Sequence, residues 1–238
     1  MKNFNYIIKI NFLKNCKKIK IYKKSFFNFF FKKKNFFLNF ILNIKKYFLN
    51  NKFVQLLSKE LEINNFNYYY LNIKKKYNYN ETFYTKKNIL RTHTSSIQNR
   101  FFKNFKSKKI KIFNIGKVYR KDNDKTHLPI FFQLDFFIIK KNIIIKKILY
   151  FLLKFISFFI KKKFIFKIRK VHFPFTIISI ELDIYYNKNW LELLGFGLIN
   201  NNIFINNKIY IKGIAGGVGV DRLFMICYKL KYIKEVYD

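Results

Sequence analysis

Arginine is rare in this chain, making up only five of its 49 basic residues, and two of the five stand where a guanidinium could do chemistry. Arg120 closes a β-prone run and faces a polar loop. There a planar guanidinium can clamp phosphate oxygens through two parallel hydrogen bonds, which a lysine ammonium cannot reproduce. Arg222 falls in the first turn of a helix that opens directly after Gly216, Gly217 and Gly219. Free backbone N–H groups and the helix dipole favour an anion at such a place. Each arginine alone also fits a plainer role, Arg120 as a surface ion pair with Asp122 or Asp124 and Arg222 as an ordinary solvated helix start. On adjoining strand and helix ends, the two together point to a nucleoside triphosphate. A third segment, Phe173-Pro174-Phe175, sets two rings around a rigid residue near a strand start. With 33 phenylalanines in the chain, core packing is the commoner explanation of such a pair.

Other chemistries are excluded. No glycine-rich segment ends in Gly-Lys-Ser/Thr and no Gly-x-Gly-x-x-Gly follows a strand, which removes P-loop and Rossmann sites. His93, His127 and His172 each stand alone in sequence, so no serine or cysteine nucleophile has a local base. Cys16 and Cys227 are too few for a disulfide framework and have no metal-ligand spacing, so a reducing, cytoplasmic location is expected.

The elements that must carry these residues follow from hydrophobic period. Phe37, Phe40, Ile41, Ile44 and Phe48 recur at helical spacing, Phe53–Leu57 reads as a short strand, and Asn64–Asn80 as a polar, tyrosine-rich loop. Short β-prone runs at Ile110–Ile115 and Lys117–Arg120 flank Gly116. With Phe131–Ile139 they make a hairpin around the long polar connection Lys121–Ile130. Ile144, Ile148, Phe151, Leu152, Phe155 and Phe159 predict a buried or interface helix over Ile143–Ile160, because Lys146, Lys147 and Lys154 interrupt what would otherwise resemble a membrane span. Strand alternation returns at Phe164–Arg169 and Ile178–Tyr186, where Ser179, Glu181 and Asp183 share a polar face. Trp190–Ile199 and Lys208–Lys212 read as further strands. The Gly-rich turn Gly213–Gly219 then opens a helix from Val220 to near Leu230. Five or six strands in a mostly antiparallel meander, with helices to one side, make an α+β domain.

Composition sets the frame. A chain of 238 residues that is 50% apolar and 21% aromatic can bury a core in spite of a formal charge of +37, which excludes intrinsic disorder. So large a charge matches a polyanion, nucleic acid ahead of a membrane surface. The excess of Phe, Ile, Lys, Asn and Tyr is equally what AT-rich codons would produce by drift. Against that background the disfavoured types are informative: every glycine, proline, histidine, arginine and tryptophan lies between Arg91 and Arg222. Residues 1–37 form a basic arm without a signal-peptide pattern, and 38–238 the folded core.

With these residues in hand, a family resemblance is plain. Asn88–Arg100, NILRTHTSSIQNR, is similar to the L-L-R-T-H-T-S-P-V-Q stretch of the bacterial phenylalanyl-tRNA synthetase alpha-subunit family. Gly116–Asp135 resembles its class II motif 2, His172–Asp183 its Y-F-P-F-T-E-P-S-x-E-x-D, Trp190–Asn202 its W-L-E-V-L-G-C-G-M-V-H-P-N, and Gly213–Arg222 its motif 3. Lys52–Glu62 matches motif 1 more loosely.

The resemblance implies a class II synthetase core, an antiparallel sheet flanked by helices, activating phenylalanine with ATP and transferring it to tRNA(Phe). It implies that Arg120 and Arg222 are catalytic and hold the ATP phosphates, with His127 approaching them and Phe131 stacking on adenine. It further implies that His93, Ser95, Gln133 and Asp135 hold the amino and carboxylate ends of phenylalanine, with Phe173 and Phe175 against its ring and Ala215 at the pocket floor. Mg²⁺ is expected, and its ligands stay open, since Ile177 stands where the family has a metal-binding glutamate. Phe132 replaces a histidine, Asp135 a glutamate and Gly216 a phenylalanine. The implied partner is a beta subunit, in a tetramer of two alpha and two beta chains, which would also supply editing. No membrane is expected, and the arm is too short for the family's tRNA-binding coiled coil. The alternative is a non-catalytic RNA-binding protein of synthetase descent.

Overall fold

The spacing Phe37, Phe40, Ile41, Ile44 and Phe48 folds as helix α1 (Phe36–Asn50), with all five side chains buried. Asn51 Nδ2 donates to the Tyr47 carbonyl at 2.8 Å and helps end it. This computed structural model describes residues 36–57, 59–63, 82–84, 88–104, 109–121, 127–206 and 211–237. The loop expected over Asn64–Asn80, most of the basic arm, and Asp122 and Asp124 lie outside the described residues.

The remaining elements are β1 (Val54–Gln55), β2 (Leu61–Ile63), β3 (Asn88–Leu90), α2 (Ser96–Asn104), β4 (Ile110–Tyr119), β5 (Ile130–Ile139), α3 (Ile145–Ile160), β6 (Phe166–Val171), β7 (Thr176–Tyr186), β8 (Asn189–Ile199), α4 (Asn201–Asn206), β9 (Gly213–Gly219) and α5 (Val220–Tyr228). A short 3₁₀ turn, Ile233–Val236, follows. Seven strands form one sheet in the order β1-β4-β5-β9-β8-β7-β6, and β2 pairs with β3 apart from it. Within the large sheet β1 runs parallel to β4 and every other neighbour pair is antiparallel. The α+β class holds.

Strand alternation sends the two faces of the sheet to different neighbours. Phe113, Phe136, Ile138, Leu182, Ile184, Phe196 and Ile214 join the main core with residues of α1, α3 and α5. Ile112, Phe137, Ile139, Ile199 and Ala215 point the other way, into a second cluster with Ile97, Phe101 and Phe102 of α2 and Ile203 and Phe204 of α4. Helices therefore flank both faces rather than one. Among the described residues no helix is long and apolar enough to cross a membrane.

Two further expectations are corrected. The runs around Gly116 are one continuous strand, β4, because Gly116 leaves room for a neighbour: a Cβ there would lie 2.1 Å from the Arg91 guanidinium. The glycine-rich segment Gly213–Gly219 is not a turn but strand β9, wedged between β5 and β8. A run of glycines has no hydrophobic period to read, and here it is crowding that selects them. A Cβ on Gly216 would meet Phe196 Cβ at 2.6 Å and Phe136 Cζ at 2.8 Å. Of the strand expected over Lys208–Lys212, Ile211 and Lys212 are irregular chain leading into β9 and the rest lies outside the described residues.

Gly216→Ala is expected to cost about 1–3 kcal/mol through overpacking between two buried rings. Urea unfolding checks this as a lower midpoint at unchanged slope; a midpoint equal to that of the unsubstituted chain would mean that β9 stands further from β8 than described.

Candidate active site

The part of the second sheet face that α2 and α4 leave uncovered opens as a cavity of about 390 Å³. All the residues singled out above line it: His93, Ser95, Arg120, His127, Phe131, Gln133, Asp135, Phe173, Phe175, Ala215 and Arg222. Phe131, Gln133 and Asp135 alternate along β5 and so share the cavity side. Arg120 follows β4 across the hairpin, while β9 delivers Ala215 and leads into α5 with Arg222.

One end of the cavity is cationic. Arg120 Nε donates to the Thr92 carbonyl at 3.0 Å, and its guanidinium lies 5.2 Å from the centre of the Phe131 ring. Arg222 donates from Nη1 to the Glu192 carbonyl at 2.7 Å, and its Nη2 stands 2.9 Å from His127 Nε2. Each guanidinium group thus donates to a backbone carbonyl. The Glu192 carboxylate stands 3.8 Å from Arg222 and is 46% exposed, where solvent weakens the pair.

The same cavity is rich in acceptors. Asp135 is 2% exposed, receives a short hydrogen bond from Ser95 Oγ, and accepts from Gln133 Nε2 at 2.9 Å. Burial pushes its carboxyl up to about 6, against the opposing pull of these hydrogen bonds and of Arg120. The amide oxygens of Gln98 and Gln133 are buried and have no hydrogen-bond partner among the described residues. Buried acceptors in that condition are uncommon in folded proteins and favour a donor supplied from outside. His93 Nδ1 is likewise buried without a partner. Burial first, then Arg120 and Arg91, lower the imidazole to about 3, so His93 is neutral at ordinary pH.

The cavity also holds an apolar slot. The Phe173 and Phe175 rings are parallel to within 3°, with centroids 5.7 Å apart. Ser179 Oγ accepts the Phe173 N–H at 3.1 Å and lies 2.6 Å from Thr176 Oγ1, which fixes the Phe-Pro-Phe corner. Gly195 gives the slot its width, since a Cβ there would fall 2.8 Å from Phe173 Cζ.

The loop that carries His93 and Ser95 is set by a buried ion cluster. Arg91, 2% exposed, donates from Nε to the Lys117 carbonyl at 2.7 Å and from Nη1 to the Lys59 carbonyl at 3.2 Å. Ser96 Oγ donates to Glu62 at 2.8 Å, and Tyr119 hydrogen-bonds Glu60. Sequence reasoning missed Gln98, Glu181, Glu192, Asp221 and Ile233, which also line the cavity. The polar face of β7 was the available signal for Glu181. Gln98 carried no signal of its own beyond its place in the Asn88–Arg100 run.

The description "tRNA synthetases class II core domain (F)" belongs to the family profile that matches residues 28–238. This chain belongs to that family. The synthetase core is 37% identical over 204 residues to the phenylalanine–tRNA ligase alpha subunit of Buchnera aphidicola subsp. Acyrthosiphon pisum, covering 82% of this chain and 61% of that protein. It is 38% identical over 169 residues to the protein of the same name from Wolbachia sp. subsp. Brugia malayi, covering 66% and 49%. With the Ehrlichia canis protein of that name it shares 39% identity over 170 residues, covering 67% and 49%. The chain thus spans about half to three fifths of the length of these relatives.

The raised Asp135 carboxyl sets a sign for stability. Its folded value lies above the ordinary 3.8, so the folded state holds the proton more tightly. That stabilisation is complete below about 3.8 and lost as pH rises through about 6. Asp135→Asn carries no charge, so its stability relative to the unsubstituted chain is expected to improve between pH 4 and pH 7.5. Urea midpoints at both pH values test this, and a difference that does not change with pH would mean that Asp135 is not held up by burial.

Proposed function

We propose that this chain is the catalytic alpha-type subunit of a phenylalanine–tRNA ligase, activating phenylalanine with ATP and passing it to tRNA(Phe). The observation that supports this best is the chemistry gathered in one cavity: two arginines, a slot between parallel rings, and buried acceptors. The acceptors Asp135, Gln133 and Gln98 suit an ammonium group. The rings of Phe173 and Phe175 suit an aromatic side chain, with Ala215 below it. Arg120 and Arg222 suit the nucleotide phosphates, with His127 between them and Phe131 beneath the base.

In that reading no strong base is needed. The phenylalanine carboxylate is already ionised; it attacks the α-phosphorus, the bond to pyrophosphate breaks, and the two guanidinium groups neutralise charge on the phosphates throughout. Positioning and fixed charge lower the barrier. A ribose hydroxyl of tRNA then takes the aminoacyl group and AMP departs. Neutral His93 offers polarity at the slot without adding a cation beside the ammonium.

Mg²⁺ would neutralise part of the charge on the nucleotide phosphates. Among the described residues no three His, Cys, Asp or Glu side chains form a metal cage. Such an ion commonly needs only one or two carboxylates beside the phosphates. Glu181 and Glu192 line the cavity, and Glu181 is held above its ordinary value by burial and then by Glu192. Glu181 meets the Arg169 guanidinium at 2.6 Å and Glu192 faces Arg222, so an ion there would share these carboxylates with Arg169 and Arg222, whereas Ile177, 55% exposed, offers no ligand. We assign residues 1–37 to a basic arm and 38–238 to the catalytic core. The partner is a beta chain completing a tetramer of two alpha and two beta subunits in the cytoplasm. Phenylalanine-dependent ATP–pyrophosphate exchange with the beta chain present tests the reading, and its absence would favour a non-catalytic RNA-binding protein.

Arg120→Lys and Arg222→Lys are each expected to lower exchange at least about tenfold, since a point charge replaces a two-pronged clamp. Near-normal exchange in either would return that arginine to a surface role.

Ala215, 2% exposed at the slot, sets its depth. Ala215→Gly is expected to let para-substituted phenylalanines be activated, because the lost methyl leaves apolar space and no unpaired polar group. A variant that still activates only phenylalanine would move the pocket floor elsewhere.

A further inference from the structure

Strand β9 ends at Gly219, opposite Gln133, so beyond that point β5 has no strand partner on this side. The Phe132 N–H at the next position donates instead to Asp221 Oδ2 at 2.7 Å. Asp221 is 1% exposed and lies in the first turn of α5. Its other oxygen, Oδ1, accepts a short hydrogen bond from the Tyr237 hydroxyl. One buried carboxylate therefore joins three elements: β5 between Phe131 and Gln133, the helix start beside Arg222, and the segment after the 3₁₀ turn.

That segment is itself fixed. Ile233 and Val236 are 3% and 4% exposed, Glu235 accepts from the Tyr232 N–H at 3.0 Å, and Tyr237 N–H donates to the Lys234 carbonyl at 3.0 Å. The Phe37 ring stands edge-on to Tyr237 at 5.6 Å, to Phe132 at 5.5 Å and to Phe224 at 5.1 Å. The ring contacts hold Tyr237 in place whether or not its hydroxyl is present, and the hydroxyl itself bonds Asp221.

We propose that Tyr237 is a positioning residue for the nucleotide end of the cavity, acting through Asp221 to fix Phe131 relative to Arg222. A carboxylate with both oxygens taken by different elements cannot rotate about its own bond, and that locks the strand end to the helix start. Without the hydroxyl, Oδ1 loses its donor, Asp221 is free to turn, and the base platform and the phosphate clamp are no longer held at one spacing. Asp135, by contrast, is held by Ser95 and Gln133.

This inference rests on the reading of Arg222 and Phe131 as nucleotide contacts. Calorimetric titration of the full chain with ATP and, separately, with phenylalanine tests it on Tyr237→Phe, which keeps the ring. The expected result is ATP affinity lowered roughly five- to tenfold, as for a buried charged acceptor deprived of one donor, with phenylalanine affinity within about twofold. Asp221→Asn, which can still accept from Phe132 and pair with Tyr237, is expected to retain more ATP affinity than Asp221→Ala. Unchanged ATP affinity in Tyr237→Phe overturns the inference while leaving the site reading intact. Equal loss of both ligands overturns it as well, because that is the mark of general loosening. An unsubstituted chain that binds phenylalanine but no ATP overturns the reading of the arginines, and this inference with it.

Discussion

The bare backbone of β9 allows β5 and β8 to close on it from both sides, and the cavity takes its dimensions from that approach. At Gly217 a Cβ would fall 2.6 Å from Asp135 Oδ1 and 2.7 Å from Gln133 Nε2. Any larger residue would push the acceptor pair off the cavity floor. At Gly216 the crowding comes from the opposite face, where Phe136 and Phe196 pack. Sheet closure and ligand space are therefore set by the same few residues, and the core beneath the sheet cannot be repacked without moving the acceptors above it.

Within that frame the cavity's two arginines bond backbone carbonyls, while two of its carboxylates are buried. Arg120 and Arg222 lean on carbonyl oxygens of Thr92 and Glu192. Asp135 and Asp221 are sealed in, and burial raises them to about 6 and about 7. Desolvating a carboxylate is costly unless hydrogen bonds compensate. Each of these two receives at least two. The outcome is a cavity in which these carboxylates are held in place by hydrogen bonds. Arg91 has a different task. It is buried and turned onto carbonyls of β4 and of the chain before β2, and its guanidinium fills the space above Gly116.

The elements that hydrophobic period could reveal were legible. The helical faces of α1 and α3, the hairpin of β4 and β5, and the two-sided pattern of β7 each follow from side chains that alternate between burial and exposure. What escaped was set by contacts remote in sequence. β9 carries four glycines and no alternation, so its neighbours alone make it a strand. Gln98 joins Gln133 and Asp135 in lining one cavity only after α2 packs against the sheet. Tyr237 reaches an aspartate 16 residues earlier, and nothing in its own neighbourhood marks it. The arginines could be singled out for the opposite reason: in a chain dominated by lysine a guanidinium stands out, and Arg120 and Arg222 do line the cavity.

Lysine also stands where glycine would be expected, which bears on how the large positive charge is read. Helices α3 and α5 end with Lys161 and Lys229 in the left-handed region, at φ 55° and 57°, and the β7–β8 hairpin turns through Asn187 and Lys188 at φ 47° and 65°. A side chain in that region costs about 1–2 kcal/mol relative to glycine. A lysine selected for an RNA contact has no reason to sit at a backbone position that penalises it. One supplied by compositional drift can sit there as long as the core tolerates the cost, and Lys161, Lys188 and Lys229 are all exposed. Glycine is kept instead where a Cβ would strike a neighbour, in β4, β8 and β9. Steric exclusion at the cavity, which allows no tolerance, thus coincides with chemical precision, while the lysine-rich exterior absorbs the compositional bias.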